Sequence, residues 1–286
     1  MPLGKQVKND YPFNMISIVT PCLNIISEKR ENTFRKMMES VHKQSFPEIE
    51  HIVVDNGSTD GTLKILEEYK QKGWITLVSE KKRGIYPAMN KGVKLAKGSY
   101  VNIMNTDDYF IDLNFLETAV KKMEETGADF VHADRVIKSK MGRPDSIKRG
   151  NEQHAFYRMP FRHQTMVAKK EIFDEIGLFD ENYQVCSDYK WVIQMLLANK
   201  KGYYLPKTVV CSLDGGASSN RAKCIEEVSQ ILFKCYGRQY NLSQFDCHQI
   251  YLRKFSFNLM LKILFRVKNL KIKKSLLYGW LESFIK

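Results

Sequence analysis

The sequence lacks the patterns that mark several large classes of protein. Its six cysteines include no C-x-x-C pair and no metal-ligand spacing, so they predict reduced thiols rather than a disulfide framework or a zinc site. No apolar run reaches the ~18 residues that a membrane-spanning helix requires. The polar residues 1–14 contain no apolar core of a secretory signal. We therefore expect a cytoplasmic protein with a polar N-terminal tail.

Two phosphate-binding motifs are also absent. No G-x-G-x-x-G follows the first predicted strand, and no G-x-x-x-x-G-K-[ST] occurs anywhere in the chain. These absences argue against a dinucleotide-dependent dehydrogenase and a P-loop NTPase. If the protein binds a nucleotide diphosphate, other groups must neutralise its charge.

The overall composition is ordinary, but acidic residues are scarce at the C-terminal end of the chain. The 286 residues are 43% apolar and 27% charged, which is typical of a globular protein with one large or two small domains. Residues 248–286 contain nine Lys or Arg and one acid, and so carry +8 of the net charge of +13. Such a segment suits an anionic partner.

Short apolar runs alternate with helical patterns over the first hundred residues. The runs predict strands over 16–20, 49–55, 74–79 and 99–104, with helices between them over 31–44, 63–69 and 86–97. This order predicts an α/β fold with a mostly parallel central sheet flanked by helices. Later patterns predict a strand over 203–213, a hairpin within 139–149 and only helices from residue 220 onward.

Polar residues follow three of the predicted strands. In a parallel sheet the carboxyl ends of the strands meet at one edge, where ligands bind. A lone acid in such a place is more often a helix cap or a turn residue, but three polar strand ends together favour a ligand site. The adjacent carboxylates of Asp107 and Asp108 suit a hard divalent ion, and Arg83 can add a positive charge near a diphosphate.

The ordered motifs resemble family 2 glycosyltransferases of the GT-A fold, in the group that makes bacterial surface polysaccharides such as colanic acid and O-antigen. The matching strings are T-P-C-L-N at 20–24, V-D-N-G-S-T-D-G-T at 54–62, R-G-I-Y-P-A-M-N-K-G at 83–92, N-T-D-D at 105–108 and C-S-D-Y-K-W at 186–191. The resemblance covers residues 15–219, which it implies to be the catalytic domain. Pro87 and Lys81-Lys82 depart from it, because relatives often have acids there.

The resemblance implies a role for each matching residue. Asp188 matches the catalytic base, although a helix cap is its plain structural interpretation. Asp107, with Asp108 beside it, is expected to bind Mn²⁺ or Mg²⁺. The donor nucleotide is expected to contact Thr20, Pro21, Asn24, Asp55, Gly57, Ser58, Arg83, Asn90, Asn105 and Thr106.

The acceptor or sugar pocket is expected to involve His163, Gln164 and Trp191. Trp191 also fits a core position, because it lies in an apolar helical pattern. The string G-G-A-S-S at 215–219 is either an ordinary loop or a lid over the diphosphate.

The sequence thus predicts a metal-dependent inverting glycosyltransferase that uses a nucleotide-sugar donor, most simply a UDP-sugar. Its acceptor would be a glycan or a polyprenyl-diphosphate-linked saccharide. Two alternatives are a sugar-1-phosphate nucleotidyltransferase, which would need a Gly- and Arg-rich loop after the first strand, and a non-catalytic nucleotide-sugar binding protein.

Residues 220–286 form a basic, amphipathic helical region. Leu, Phe and Trp beside lysines are typical of a helix that lies on an anionic membrane, here the inner face of the cell membrane. The alternative is a set of helices packed on the catalytic domain with solvated lysines. Nucleic acid is not expected, because no binding motif accompanies the charge.

Overall fold

The structure is a computed structural model that describes residues 14–81, 84–139, 144–213 and 220–284. Nine strands in these residues form a single sheet: β1 (Ile16–Cys22), β2 (Ile49–Asp55), β3 (Thr76–Ser79), β4 (Tyr100–Ile103), β5 (Asp108–Phe110), β6 (Phe130–Lys138), β7 (Ser146–Lys148), β8 (Met166–Lys169) and β9 (Gly202–Leu213).

The described residues also form ten α-helices and a few short turns. The helices are α1 (Glu31–His42), α2 (Thr62–Gln71), α3 (Ile85–Leu95), α4 (Phe115–Thr126), α5 (Glu171–Ile176), α6 (Ser187–Leu197), α7 (Arg221–Leu232), α8 (Gln244–Tyr251), α9 (Phe257–Arg266) and α10 (Leu270–Glu282). A 3₁₀ turn at His163–Thr165 precedes β8.

The first half of the sheet is parallel, as the alternation of strands and helices predicts. The strands lie in the order β3-β2-β1-β4, and β1 pairs in parallel with both of its neighbours. Helix α1 forms because Phe34, Met37 and Val41 recur at spacings of three and four, and all three are buried. The carboxyl ends of β1, β2 and β4 consequently meet at one edge.

The second half of the sheet is mixed. Strand β8 runs antiparallel to β4 and β6, β6 runs parallel to β9, and β5 pairs antiparallel with β9. The sequence did not predict β5 or β8, because they are three and four residues long and depend on distant partners. Strand β7 lies within the predicted hairpin segment 139–149 and pairs antiparallel with β6, but β6, the first strand of this hairpin, precedes that segment; residues 140–143 lie outside the described range.

Both faces of the sheet are buried, which confirms the predicted α/β class. Successive side chains of β1 enter different cores, with Ile18 on one side and Val19 on the other. Helix α3 packs closely on β1 because Gly92 has no side chain there: a Cβ atom at this position would overlap Val19. This approach accounts for the glycine that ends the string at 83–92.

The C-terminal helices α7–α10 pack on one of these cores. Ile231, Ile263 and Leu276 are fully buried in the same cluster as residues from β1 and α6. Other apolar side chains of this region remain exposed, among them Phe257 at 80% and Phe265 at 71%. None of the described helices is long and apolar enough to cross a membrane. The division of the chain at residue 219 stays a prediction.

Candidate active site

The ends of β1 and β2 are joined by hydrogen bonds between their loops. The backbone N–H of Asn24 donates to Ser58 Oγ, and Asn24 Oδ1 accepts from the backbone N–H of Thr59, both at 2.9 Å. Asp55, at the end of β2, accepts from the N–H of Gly57 at 3.1 Å and of Ser58 at 3.2 Å. Gly57 has φ +84°, a conformation that favours glycine. The fold thus brings together four of the predicted nucleotide-binding residues and uses the Asp55 carboxylate to shape their turn.

Arg30 connects this turn region to the loop after β4. Its Nη2 donates to the carbonyl of Leu23 at 3.0 Å, and its Nη1 donates to Thr106 Oγ1 at 3.1 Å. Thr106 itself is buried. No sequence pattern marked Arg30, because it stands just before α1 and its partner Thr106 is 76 residues away.

The loop at 105–108 contains two adjacent carboxylates in different environments. Asp108 is buried, and its Oδ2 accepts from Gln164 Nε2 at 2.6 Å and from Asn105 Nδ2 at 3.2 Å. Burial and the neighbouring charge of Asp107 raise the pKa of Asp108, against smaller opposing effects of Ser212, Arg135 and Gln164. Asp107 is only partly buried. Asp107 is therefore the carboxylate that a ligand reaches more easily in the crevice, by which we mean the space beyond the carboxyl ends of β1, β2 and β4.

Asp188 lies in the first turn of α6 and is nearly buried. Its Oδ1 accepts from Tyr86 Oη at 3.0 Å, and its Oδ2 lies 3.1 Å from Nδ1 of His163. Burial alone would raise the pKa of this carboxyl, but the hydrogen bond from His163, the charges of His163 and Arg162, and the Tyr86 hydroxyl lower it overall. The N-terminus of α6 also favours the charged form. Asp188 is consequently ionised at neutral pH.

His163 joins Asp188 to the loop after β4. Because an ionised carboxylate only accepts hydrogen bonds, the proton between the two side chains is on Nδ1 of His163. Nε2 of the same ring lies 3.4 Å from Asn105 Oδ1. The sequence does not predict a role for Tyr86, which belongs to the string at 83–92; its place at the start of a helix beside the strand ends is the one signal for it.

Several predicted site residues are buried in the fold, among them Trp191, Asn90, Thr20 and Pro21. Trp191 lies in the core rather than in a pocket wall: it is 1% exposed, stacks on Phe173 at 4.3 Å and donates to the Gly177 carbonyl. The side-chain amide of Asn90 forms hydrogen bonds with the backbone of Phe179 and with the carboxylate of Glu181.

Thr20 and Pro21 are buried within β1, and Thr20 Oγ1 lies 2.9 Å from Nε2 of His51. The Thr20 hydroxyl is therefore engaged within the protein interior, and Pro21 is buried next to it in the strand. Arg83 and the predicted lid at 215–219 lie outside the described residues.

The described residues contain no group of three or more His, Cys, Asp or Glu side chains placed to hold a metal ion. Asp107 nevertheless suits a hard ion that takes most of its ligands from a substrate. Mg²⁺, for example, is commonly held by one or two carboxylates together with substrate phosphates. The crevice thus combines an ionised, oriented carboxylate with a separate carboxylate that is open to a ligand.

The family model described as "Glycosyl transferase family 2" matches residues 17–179. The chain belongs to glycosyl transferase family 2. The matched range contains Asp55, Asp107 and His163 but ends before Asp188. The contact between His163 and Asp188 therefore joins the matched range to the part of the chain that follows it.

Relatives of this family 2 glycosyltransferase come from several bacteria. A PGL/p-HBAD biosynthesis glycosyltransferase of Mycobacterium tuberculosis is 26% identical over 186 residues, which cover 63% of this chain and 69% of the relative. Glycosyltransferase GlyA of Streptococcus pneumoniae is 32% identical over 115 residues. That match covers 40% of this chain but only 16% of GlyA.

Two solved structures share the fold. TarS 1–349 of S. aureus, in complex with UDP-GlcNAc, has a TM-score of 0.61 at 19% identity, covering 95% of this chain and 91% of that one. The mannosyltransferase PcManGT of Pyrobaculum calidifontis, in complex with GDP-Man and Mn²⁺, has a TM-score of 0.60 at 16% identity, covering 97% and 91%. These similarities confirm the predicted GT-A fold.

Proposed function

We propose that this glycosyltransferase moves a sugar, with inversion, from a UDP-sugar to a hydroxyl of a glycan or lipid-linked saccharide in bacterial surface polysaccharide synthesis. The observation that carries the proposal is the ionised Asp188 held by His163 and Tyr86 beside the strand ends. The complex of TarS with UDP-GlcNAc supports the choice of donor. The name of the mycobacterial relative, a PGL/p-HBAD biosynthesis glycosyltransferase, supports a role in biosynthesis.

In this proposal Asp188 is the general base. An inverting transfer is a single displacement, in which the acceptor hydroxyl loses its proton as it attacks the anomeric carbon. Asp188 Oδ2 accepts from His163, and its remaining lone pair is available for that proton. The depressed pKa keeps the carboxylate ionised, and the two hydrogen-bonded side chains hold it in one orientation.

The donor would lie with its nucleoside near the turn formed by Asn24, Asp55, Gly57 and Ser58, and with its diphosphate near Asp107. Asp107 would hold Mn²⁺ or Mg²⁺ together with the diphosphate oxygens, and the adjacent Asp108 is fixed by its hydrogen bonds from Gln164 and Asn105. A bound divalent ion would stabilise the charge that grows on the leaving diphosphate. The Mn²⁺ in PcManGT supports this part of the proposal.

A donor screen tests the function. The purified protein is incubated with several UDP-sugars and with GDP-mannose, each with Mn²⁺ and each with excess EDTA, and the released products are measured. We expect UDP release that EDTA abolishes. Release of GDP alone would reject the UDP donor, release of pyrophosphate would indicate a nucleotidyltransferase, and tight binding without release would indicate a binding protein.

We also propose that the C-terminal helices contact the anionic inner face of the cell membrane. On α9, the exposed Phe257, Leu264 and Phe265 lie on one side of the helix, since their spacing is seven and eight residues. Arg266 and Lys268 follow directly and are exposed as well. Apolar side chains next to basic ones match a surface of acyl chains and anionic headgroups. Such contact would keep the crevice near an acceptor that cannot leave the membrane.

A further inference from the structure

A basic cavity lies beside the candidate active site. It encloses about 750 Å³ between the β6–β7 hairpin and the segment 158–165. No Asp or Glu lines it among the described residues. Its basic lining residues, which define what we call the arginine pocket, are Arg135, Lys148, Arg149, Arg158 and Arg162.

Most of this charge has no acidic partner among the residues that the structure describes. Arg158 pairs with Glu282 at 2.9 Å. Within the described parts of the chain, the ion pairs include none to Arg135, Arg149 or Arg162. Basic side chains that converge on a cavity without a carboxylate repel one another. A bound anion would therefore lower the electrostatic energy of the folded protein.

Arg135 has a buried donor without a partner in the described part of the chain. Its Nε is buried and has no hydrogen-bond partner among the described atoms, while its Nη1 donates to Ser212 Oγ at 3.2 Å. Burial and the charge of Arg162 lower the pKa of Arg135 to about 10, against a smaller opposing effect of Asp108. The guanidinium therefore stays charged at neutral pH, and one of its N–H donors is left unsatisfied by the described groups.

The arginine pocket borders residues on both sides of the candidate active site: Arg135 interacts with Asp108 in the loop after β4, and Arg162 interacts with Asp188. Arg162 directly precedes His163, and its charge contributes to the lowered pKa of Asp188. Thr165, at the end of the same 3₁₀ turn, also lines the cavity. Residues on both sides of His163 in the sequence thus line the cavity, while His163 itself contacts Asp188.

We propose that the arginine pocket binds a phosphate group of the acceptor and so positions the attacking hydroxyl near Asp188. The inference rests on the proposed function, because it identifies the acceptor as a phosphate-bearing molecule. Guanidinium groups bind phosphate oxygens through paired N–H donors, and several of them around one cavity match a multiply charged group better than a single carboxylate. The phosphate can belong to a prenyl diphosphate carrier or to the glycan itself.

Calorimetric titration with phenyl phosphate tests this pocket directly. Saturating UDP is present so that the donor site is occupied, and benzoate serves as the carboxylate probe. We expect phenyl phosphate to bind better than benzoate, and Arg135→Gln and Arg149→Gln each to weaken it by about tenfold or more. The matched control is Lys138→Gln, an exposed position on β6 that does not line the cavity. Thermal unfolding verifies that each variant is folded.

Two results would overturn the proposal: equal affinity for benzoate and phenyl phosphate, or unchanged phenyl phosphate binding in both arginine variants. Competition then separates the sources of phosphate. Displacement by farnesyl diphosphate supports a lipid carrier, displacement by glucose 6-phosphate supports a phosphorylated glycan, and displacement by neither argues against an acceptor site. Because the titration needs no sugar transfer, selective binding without UDP release would reject the proposed function and leave the phosphate pocket standing.

Discussion

Asp188 combines deep burial with a carboxylate that stays charged. Replacing it with Asn keeps the shape and the position at the start of α6 but removes the proton acceptor. We expect Asp188→Asn to lower the rate of UDP release by ~10²–10⁴ while donor affinity is largely kept. Steady-state kinetics and UDP titration measure the two quantities. Glu124→Gln, at an exposed position on α4, is the control for a carboxyl-to-amide change. Normal turnover of Asp188→Asn would show that Asp188 has a structural role and is not the base.

His163 gives a pH-dependent test of the same pair. Its hydrogen bond lowers the pKa of Asp188, and a base is active only above its pKa. In His163→Gln that hydrogen bond is weakened, so the pKa of Asp188 rises and activity is lost at a higher pH as the solution is acidified. The profile of kcat against pH measures this shift. A profile that overlays the wild-type curve, whatever its height, contradicts a positioning role for His163.

The same linkage affects stability. Because the folded-state pKa of Asp188 is depressed, its stabilising contribution is present above the unfolded-state pKa and is lost as the pH falls through the folded-state value. The raised pKa of the buried Asp108 acts in the opposite direction, because there the protein favours the protonated form.

Asp107 is tested through the metal. We expect Asp107→Asn to abolish the effect of Mn²⁺ on UDP affinity, because the diphosphate would then lack its metal-linked anchor. UDP titrations with Mn²⁺ and with EDTA measure this difference. In Asp188→Asn the Mn²⁺ effect should persist, which makes each variant the control for the other. Equal Mn²⁺ enhancement in wild type and Asp107→Asn would place the metal elsewhere.

Among the elements, α9 and α10 expose a mixed apolar and basic surface that only the structure could define. Lys271 and Lys273 are engaged with Asn199 and with the Leu264 carbonyl. Lys268 and Lys274 remain exposed. These hydrogen bonds leave the charges of Lys271 and Lys273 in place but restrain the two side chains, so we choose Lys268 and Lys274 to test membrane contact.

We expect the double variant Lys268→Glu/Lys274→Glu to lose most binding to phosphatidylglycerol vesicles. Each basic residue near an anionic surface contributes about 1 kcal/mol, so reversing two of them costs several kcal/mol. Vesicle sedimentation measures it, and UDP release in solution should be unchanged. Lys64→Glu/Lys121→Glu, on α2 and α4, makes the same change in net charge elsewhere. Equal loss in both double variants would mean that only net charge matters.

Element boundaries were predictable where the local pattern was strong. Strand β2 was predicted over 49–55 and has those bounds in the structure, because an apolar run there ends in Asp and Gly. Strand β5 was missed because its three residues form a strand only by pairing with β9, where Asp108 faces Ser212. Short strands of this kind depend on tertiary contacts rather than on periodicity.

At the scale of the whole molecule, the C-terminal helices complete the catalytic core. Glu227 of α7 accepts from the backbone N–H groups of Gln184, Val185 and Cys186 at 2.8–3.0 Å, just before the turn that carries Asp188. Fully buried apolar residues of α7–α10 add to the same core. The C-terminal helices thus fix the loop that precedes Asp188, in addition to any contact they make with a membrane.

Removal of residues 220–286 should therefore prevent folding. Each fully buried apolar side chain contributes ~1.5–3 kcal/mol, so the loss of several exceeds a typical stability of ~5–15 kcal/mol. Circular dichroism melting should show no cooperative transition for residues 1–219. Glu227→Gln is the milder companion, for which we expect a folded protein with reduced turnover. A cooperative transition of the truncated chain would establish 15–219 as an independent domain.

By itself, the sequence determined the α/β order, the family and the set of polar strand ends, because these depend on local periodicity and on short strings of residues. Only the tertiary structure decided which of those residues act together. Tyr86 and Asp188 are 102 residues apart, and His163 and Asp188 are 25 apart, so no local pattern could pair them. Packing of the whole chain likewise places Trp191 and Asn90 in the buried interior. It also brings β6, β7 and the 158–165 segment together around the arginine pocket. Contacts between distant segments form only when the whole chain is packed, and they determine both the charge state and the position of each side chain.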